Sequence, residues 1–155
     1  MARKLDDEIK QTRPFATLAQ EAMLSVERTA AVLGHAFADA LRAHGITRTQ
    51  YNVLRILRGA GPVGLCRQEV RDRLVAEVPD VTRLIDRLEA AGLVTREADE
   101  HDRRFRNTRI TPAGLDLLAR LDAPVTEIHR RQLGHLTETE LQTLIDLLAT
   151  VRDGL

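Results

Sequence analysis

PDVTRLIDRLEAAGLVTREADEHDRRFRNTRI, residues 79–110, changes its hydrophobic period part-way along, and that change decides the fold. Up to Leu88 the apolar residues Val81, Leu84, Ile85 and Leu88 recur at steps of three and four, which is one face of a helix. Pro79 suits the first turn of that helix and Gly92 its end. Beyond it, Leu93 to Arg96 and Phe105 to Ile110 read as two extended runs around a polar tip at Asp99 to Asp102, a β-hairpin. With the apolar face turned inward, Asp80, Thr82, Arg83, Asp86 and Arg87 point outward. The hairpin tip adds Arg103, Arg104 and Arg106 beside Asp102.

Upstream, Gly59-Ala60-Gly61-Pro62 separates two further helical segments. The first opens on a capping box, Thr47-Arg48-Thr49-Gln50, and runs through Arg58. The second spans about Leu65 to Val75. Three helices followed by a hairpin make a winged helix-turn-helix. In that unit the last helix enters the major groove and the hairpin follows the backbone or minor groove. Arginine bonds guanine through O6 and N7, threonine meets a thymine methyl or a phosphate, and aspartate accepts from cytosine N4. The outward residues also have a plainer reading, since Asp80, Arg83 and Arg87 are spaced to form solvated ion pairs. The tip weighs against it. Three arginines gathered there repel one another unless they meet a polyanion such as double-stranded DNA.

The flanks are helical. Residues 1–14 are charged and end at Pro14, an arm with little core of its own. From Phe15 an apolar stripe runs through Leu18, Ala22, Met23, Val26, Ala30, Leu33, Phe37 and Leu41, with Gly45 placed to end the helix. About 30 residues would span ~45 Å, a length that suits packing against a second chain. Thr111-Pro112 starts another helix, which Pro124 should kink or split. Thr137 to Glu140 is a second capping box, opening a helix with the stripe Leu141, Leu144, Ile145, Leu148 and Val151.

The charges of the 155 residues sum to zero, which argues against a bulk polybasic binder. By segment the sum conceals +5 over 40–68 and +3 over 101–111, against −1 over 1–39, −4 over 69–100 and −3 over 112–155. Arg48 in the first zone is placed to meet phosphates at a helix N-terminus. Arg42, Arg55 and Arg58 are open to pairing with the acids of 69–100 instead. Cys66, the single cysteine, excludes an internal disulfide, fits a reducing cytoplasm and reads as a small buried residue. No run approaches a membrane span or a signal-peptide core. The chain lacks a glycine-rich phosphate loop, a G-x-S-x-G elbow and compact metal-ligand spacing among its five histidines. No enzymatic activity, cofactor or metal is therefore expected.

The stretch Val81 to Arg96, then Asp102-Arg103-Arg104 and Ile110-Thr111-Pro112-Ala113-Gly114, together with Gly45 to Leu54 upstream, resembles the MarR family of bacterial transcriptional regulators. The resemblance covers roughly Phe15 to Arg152. It implies a mainly helical fold of about six helices with a small hairpin wing. The winged helix-turn-helix lobe would occupy 46–110 and a helical dimerisation module 15–45 and 111–155. By analogy Asp102 braces the wing through an ion pair, and Arg103 or Arg104 reaches the minor groove. Where many relatives carry a glycine or short polar turn before the recognition helix, this chain reads Ala76-Glu77-Val78-Pro79-Asp80. The family commonly binds a small, often phenolic, effector, and His35, His44, Tyr51 and Arg55 are the residues that could line such a cleft. The reading is a homodimeric regulator, a repressor of a pseudo-palindromic operator released by a small ligand. The alternative is a winged helix used for protein contacts.

Overall fold

The structure, a computed structural model, describes residues 4–98 and 106–155. The chain divides into two compact units, Met1–Phe37 and Ala38–Leu155.

The first unit holds a short helix, α1 (Leu5–Ile9), and most of α2 (Leu18–Arg42). No residue of α1 is buried, and the charged N-terminal stretch forms this one helical turn and a half. Glu8 of α1 lies 3.5 Å from Arg28 of α2. Thr17 opens α2 by accepting the Gln20 N–H, and the Gln20 side chain accepts the Ala16 N–H in return. The apolar stripe has helical spacing but little cover: Leu18 is 85% exposed, Met23 62% and Val26 46%.

The second unit contains α3 (Arg48–Ala60), a 3-10 turn at Gly61–Val63, β1 (Leu65–Cys66), α4 (Arg67–Asp72) and α5 (Val81–Ala90). These are followed by β2 (Val94–Ala98), β3 (Arg106–Ile110), α6 (Pro112–Leu133) and α7 (Glu138–Asp153). Both predicted capping boxes form, Thr47 with Gln50 and Thr137 with Glu140. The three strands make an antiparallel sheet in the order β1-β3-β2. β2 and β3 pair from Val94 opposite Ile110 to Ala98 opposite Arg106. The core gathers Leu41, Leu54, Leu57, Ile85, Leu88, Leu118 and Leu121, all buried, and the four apolar residues expected to face inward from α5 do so.

Three local expectations are corrected. Leu65 and Cys66 begin no helix; they pair with Thr108 and Asn107 as a third strand, and α4 ends at Asp72, short of Val75. Pro79 lies outside α5, because Asp80 takes the cap position and the helix starts at Val81. Pro124 does not split α6. An internal proline costs about 3 kcal/mol of helix stability, but Leu121 and Val125 on either side are buried, each such side chain contributing roughly 1.5–3 kcal/mol.

The motif from Ile110 to Gly114 gains a physical reason. Thr111 accepts the Gly114 N–H and donates its hydroxyl to the Gly92 carbonyl at 2.7 Å, so one side chain starts α6 and ties it to the end of α5. A β-carbon on Gly114 would collide with the Leu93 carbonyl oxygen and lie 2.7 Å from Ile110 Cγ1. Only glycine lets α6 leave the sheet at that distance.

Candidate nucleic-acid interface

α5 presents Thr82, Arg83, Asp86 and Arg87 on its exposed side. Asp80 is already engaged, because its carboxylate accepts the Arg83 backbone N–H at 2.9 Å and caps the helix. Asp86 and Glu89, one turn apart, both meet Arg96 of β2. The Arg96 guanidinium lies 2.7 Å from Asp86 Oδ1, and its Nε donates to Glu89 Oε2 at 2.9 Å. A third contact joins Arg96 Nη2 to the same Glu89 oxygen. The Arg96 backbone N–H donates to Glu89 Oε1 at 3.1 Å. The Arg96 hydrogen bond holds the Glu89 carboxyl below the usual carboxylate range, and Glu89 in turn raises the guanidinium further above its ordinary value.

Arg96 offsets part of the negative sum of the 69–100 segment on this face, because Asp86 and Glu89 both pair with it. Arg83 and Arg87 form no ion pair among the described residues. The outward groups thus include two arginines open to a polyanion, beside acids that are partly engaged within the lobe. Sequence reasoning did not single out Arg96, which lies in an extended run and reads as a surface residue. No local signal marks it, because its partners Asp86 and Glu89 lie on the preceding helix.

The wing is held to the rest of the lobe by further arginines. Arg109 of β3 pairs across the strands with Glu97 at 2.8 Å and donates to the Val63 carbonyl. Arg106, exposed at the start of β3, donates to the Arg96 carbonyl at 3.4 Å. The predicted tip residues Asp102, Arg103 and Arg104 lie outside the described residues. The brace expected of Asp102 has a described counterpart at the wing's base, in Arg96 with Asp86 and Glu89.

On the neighbouring helix α4, Arg67 donates from Nη1 to the Thr82 hydroxyl at 3.1 Å. A groove of about 200 Å³ opens there, lined among others by Arg67, Gln68, Arg71, Asp80 and Thr82. α4 had no assignment from the sequence, because a six-residue helix carries too short a period to show its outward face.

The remaining candidates are spread out. Arg48 is exposed at the first position of α3. The pairing considered for Arg42, Arg55 and Arg58 with the acids of 69–100 does not occur among the described residues. Arg42 pairs with Asp39 at 2.9 Å, and Arg58 grips Asp122 of α6 through two oxygens. Arg55 sits 6.0 Å from the ring centroid of Tyr51, which is itself buried in the core. His44 is exposed after α2, and His35 is exposed on α2 in the first unit. Cys66 is half-buried at the cap of α4. Among the described residues no cluster of acids, histidines and cysteine could hold a metal ion, and no helix is long and apolar enough to cross a membrane.

Comparison with known proteins agrees with this geometry. A family model described as the MarR family matches residues 44–104. The chain is 31% identical to the HTH-type transcriptional regulator TtmR of Methylorubrum extorquens, over 90% of this chain and 69% of that protein. Among solved structures, a MarR transcription factor from Planctomyces limnophilus is 41% identical with a TM-score of 0.67, covering 88% of this chain and 99% of that one. CouR from Rhodococcus jostii, solved bound to p-coumaroyl-CoA, is 25% identical with a TM-score of 0.75, over 88% and 95% of the two chains.

Proposed function

The chain belongs to the MarR family of winged helix-turn-helix, DNA-binding transcriptional regulators, and on that premise we propose that it is a homodimeric repressor of a pseudo-palindromic operator, released by a small ligand. The observation that carries the DNA-contact assignment is the outward face of α5, where Arg83 and Arg87 form no ion pair among the described residues while Asp86 and Glu89 pair with Arg96. α5 enters the major groove, Arg48 meets phosphate, and Arg103, Arg104 and Arg106 of the wing follow the backbone into the minor groove. Residues 46–110 form the DNA-binding lobe, while 15–45 and 111–155 supply the dimer contacts. The dimer is supported by the exposed apolar residues of α2 and of α7, which has no buried residue. Release by a small ligand is supported by the likeness to a regulator solved with p-coumaroyl-CoA.

The test is selection of bound fragments from the source genome, followed by binding measurements with and without phenolic acids and their thioesters. A palindromic consensus near the protein's own gene, lost when one of those compounds is added, is the expected result. A consensus insensitive to every compound removes the ligand from the reading. Enrichment of no fragment removes DNA recognition and leaves a winged helix used for protein contacts.

A further inference from the structure

We infer that Asn52 of α3 is a positioning residue for α5: its side-chain amide pins the turn that leads into that helix, and so sets how far the protein prefers its operator over other DNA. The inference rests on the proposal that α5 enters the major groove, and adds to it a residue that acts without touching a base.

α4 ends at Asp72 and α5 begins at Val81. The connection, residues 73–80, is about twice the three or four residues that usually join the helices of such a pair. Its first two residues close off α4, the Arg73 N–H donating to the Val70 carbonyl and the Leu74 N–H to that of Arg71. Its last, Asp80, caps α5. Between them Val75, Ala76, Glu77 and Pro79 are exposed, Val75 at 88%. Leu74 and Val78 are half-buried, but apolar contact has no direction of its own and does not choose which backbone group faces α3. A hydrogen bond does. Among the described residues, 75–79 make one, in which the Val75 N–H donates to Asn52 Oδ1 at 2.9 Å.

The other end of this tether is firm. α3 is fixed by its capping box and by Tyr51, Val53, Leu54 and Leu57, all buried. Asn52 brings α3 little as a helix former, since an interior asparagine ranks below alanine, leucine or arginine. Its amide is used across the lobe instead, 23 residues along the chain. The turn it holds also walls the groove beside α5, through Val78, Pro79 and Asp80. A loose turn has to be ordered each time α5 seats on a base sequence, and that ordering subtracts from affinity for the operator. Non-specific binding, carried by phosphate contacts, tolerates a range of helix settings and loses less.

The experiment compares the full chain with Asn52→Ala, Asn52→Leu and Asn52→Asp. Alanine and leucine remove the acceptor, leucine at similar size, whereas aspartate keeps it. Affinities are measured for the operator selected from a random duplex library and for an unrelated duplex of equal length. Each is scaled by the fraction of protein active in a stoichiometric titration, which removes any effect of partial unfolding. Asn52→Ala and Asn52→Leu should each lower the ratio of the two affinities about fivefold, the worth of one net hydrogen bond. Both should also speed hydrogen exchange at the Val75 amide. Asn52→Asp should keep the ratio and the protection, while its charge weakens binding to both duplexes alike.

A ratio unchanged in the alanine and leucine variants overturns the inference, whatever the exchange at Val75. So does an aspartate variant whose ratio falls as far as theirs. A loss of equal size on both duplexes also overturns it, making Asn52 a backbone contact or a support of the whole lobe. Enrichment of no duplex by the native chain overturns the function on which the inference rests, and the inference with it.

Discussion

Arg83 and Arg96 show how the same side chain acquires opposite roles from its surroundings. Arg83 follows a cap that occupies its backbone but leaves its guanidinium facing outward. Replacing it with alanine should cost about 1–3 kcal/mol on the preferred sequence and relax preference at one base pair, measured by competition among single-base operator variants. A loss of equal size on every sequence would move Arg83 to the backbone contacts. Arg96 instead turns toward its own fold. Arg96→Ala should weaken binding to all duplexes, because it exposes two carboxylates, Asp86 and Glu89, on the helix proposed to meet DNA. Adding Asp86→Asn and Glu89→Gln to that variant should recover most of the loss. If Arg96 touched phosphate directly, the triple variant would stay weak in a fluorescence titration. The sequence showed Arg83 pointing outward because its neighbours obey the helical period. It could not show Arg96 turning back, because that depends on the strand crossing one turn of α5.

At the scale of elements, the helix starts were legible because capping is local chemistry. Thr47, Thr111 and Thr137 each accept an N–H three residues ahead, which four residues of sequence suffice to foretell. β1 was not legible. Two residues carry no period, and Leu65 and Cys66 become a strand only by pairing with Thr108 and Asn107 far along the chain. The groove beside α4 was hidden for the same reason. Gly114→Ala tests the junction that the closing motif builds. Overpacking at such a site costs about 1–3 kcal/mol, so its urea midpoint should fall at constant slope. Thr111→Ala should cost about 1 kcal/mol as a lost cap and more through the Gly92 bond. At the other end of α6 the Glu127 carboxyl is pushed down to about 2 by hydrogen bonds from Arg130 and Arg131. A depressed carboxyl stabilises above its ordinary value near 4.5 and loses that contribution as pH falls toward 2. Carbon-detected NMR should show Glu127 titrating near 2 in the native chain and near 4.5 once both arginines are alanine.

Over the whole molecule, neutrality is a matter of which charges remain available. On α5 Asp86 and Glu89 pair with Arg96 while Arg83 and Arg87 form no ion pair among the described residues, so a net charge of zero coexists with arginines open on this face. The apolar exposure is just as uneven. Ile145 is 57% exposed, Leu147 61% and Val151 59%, all on α7, while α2 exposes Leu18, Met23 and Val26. A single chain that left so much apolar helix in water would be poorly soluble, and a second copy is the economical cover. In the proposed dimer, two-fold symmetry would fix the operator, with the two α5 helices meeting half-sites about one helical turn, ~34 Å, apart. Inserting about half a turn, ~5 base pairs, between the half-sites turns them to opposite faces of the duplex and should reduce affinity to that of non-specific DNA. Ile145→Glu with Val151→Glu should give a monomer in sedimentation equilibrium. That monomer should bind weakly and ignore the insertion. A double variant that stays dimeric would place the interface away from α7, and a native protein indifferent to the insertion would show that the half-sites are bound independently.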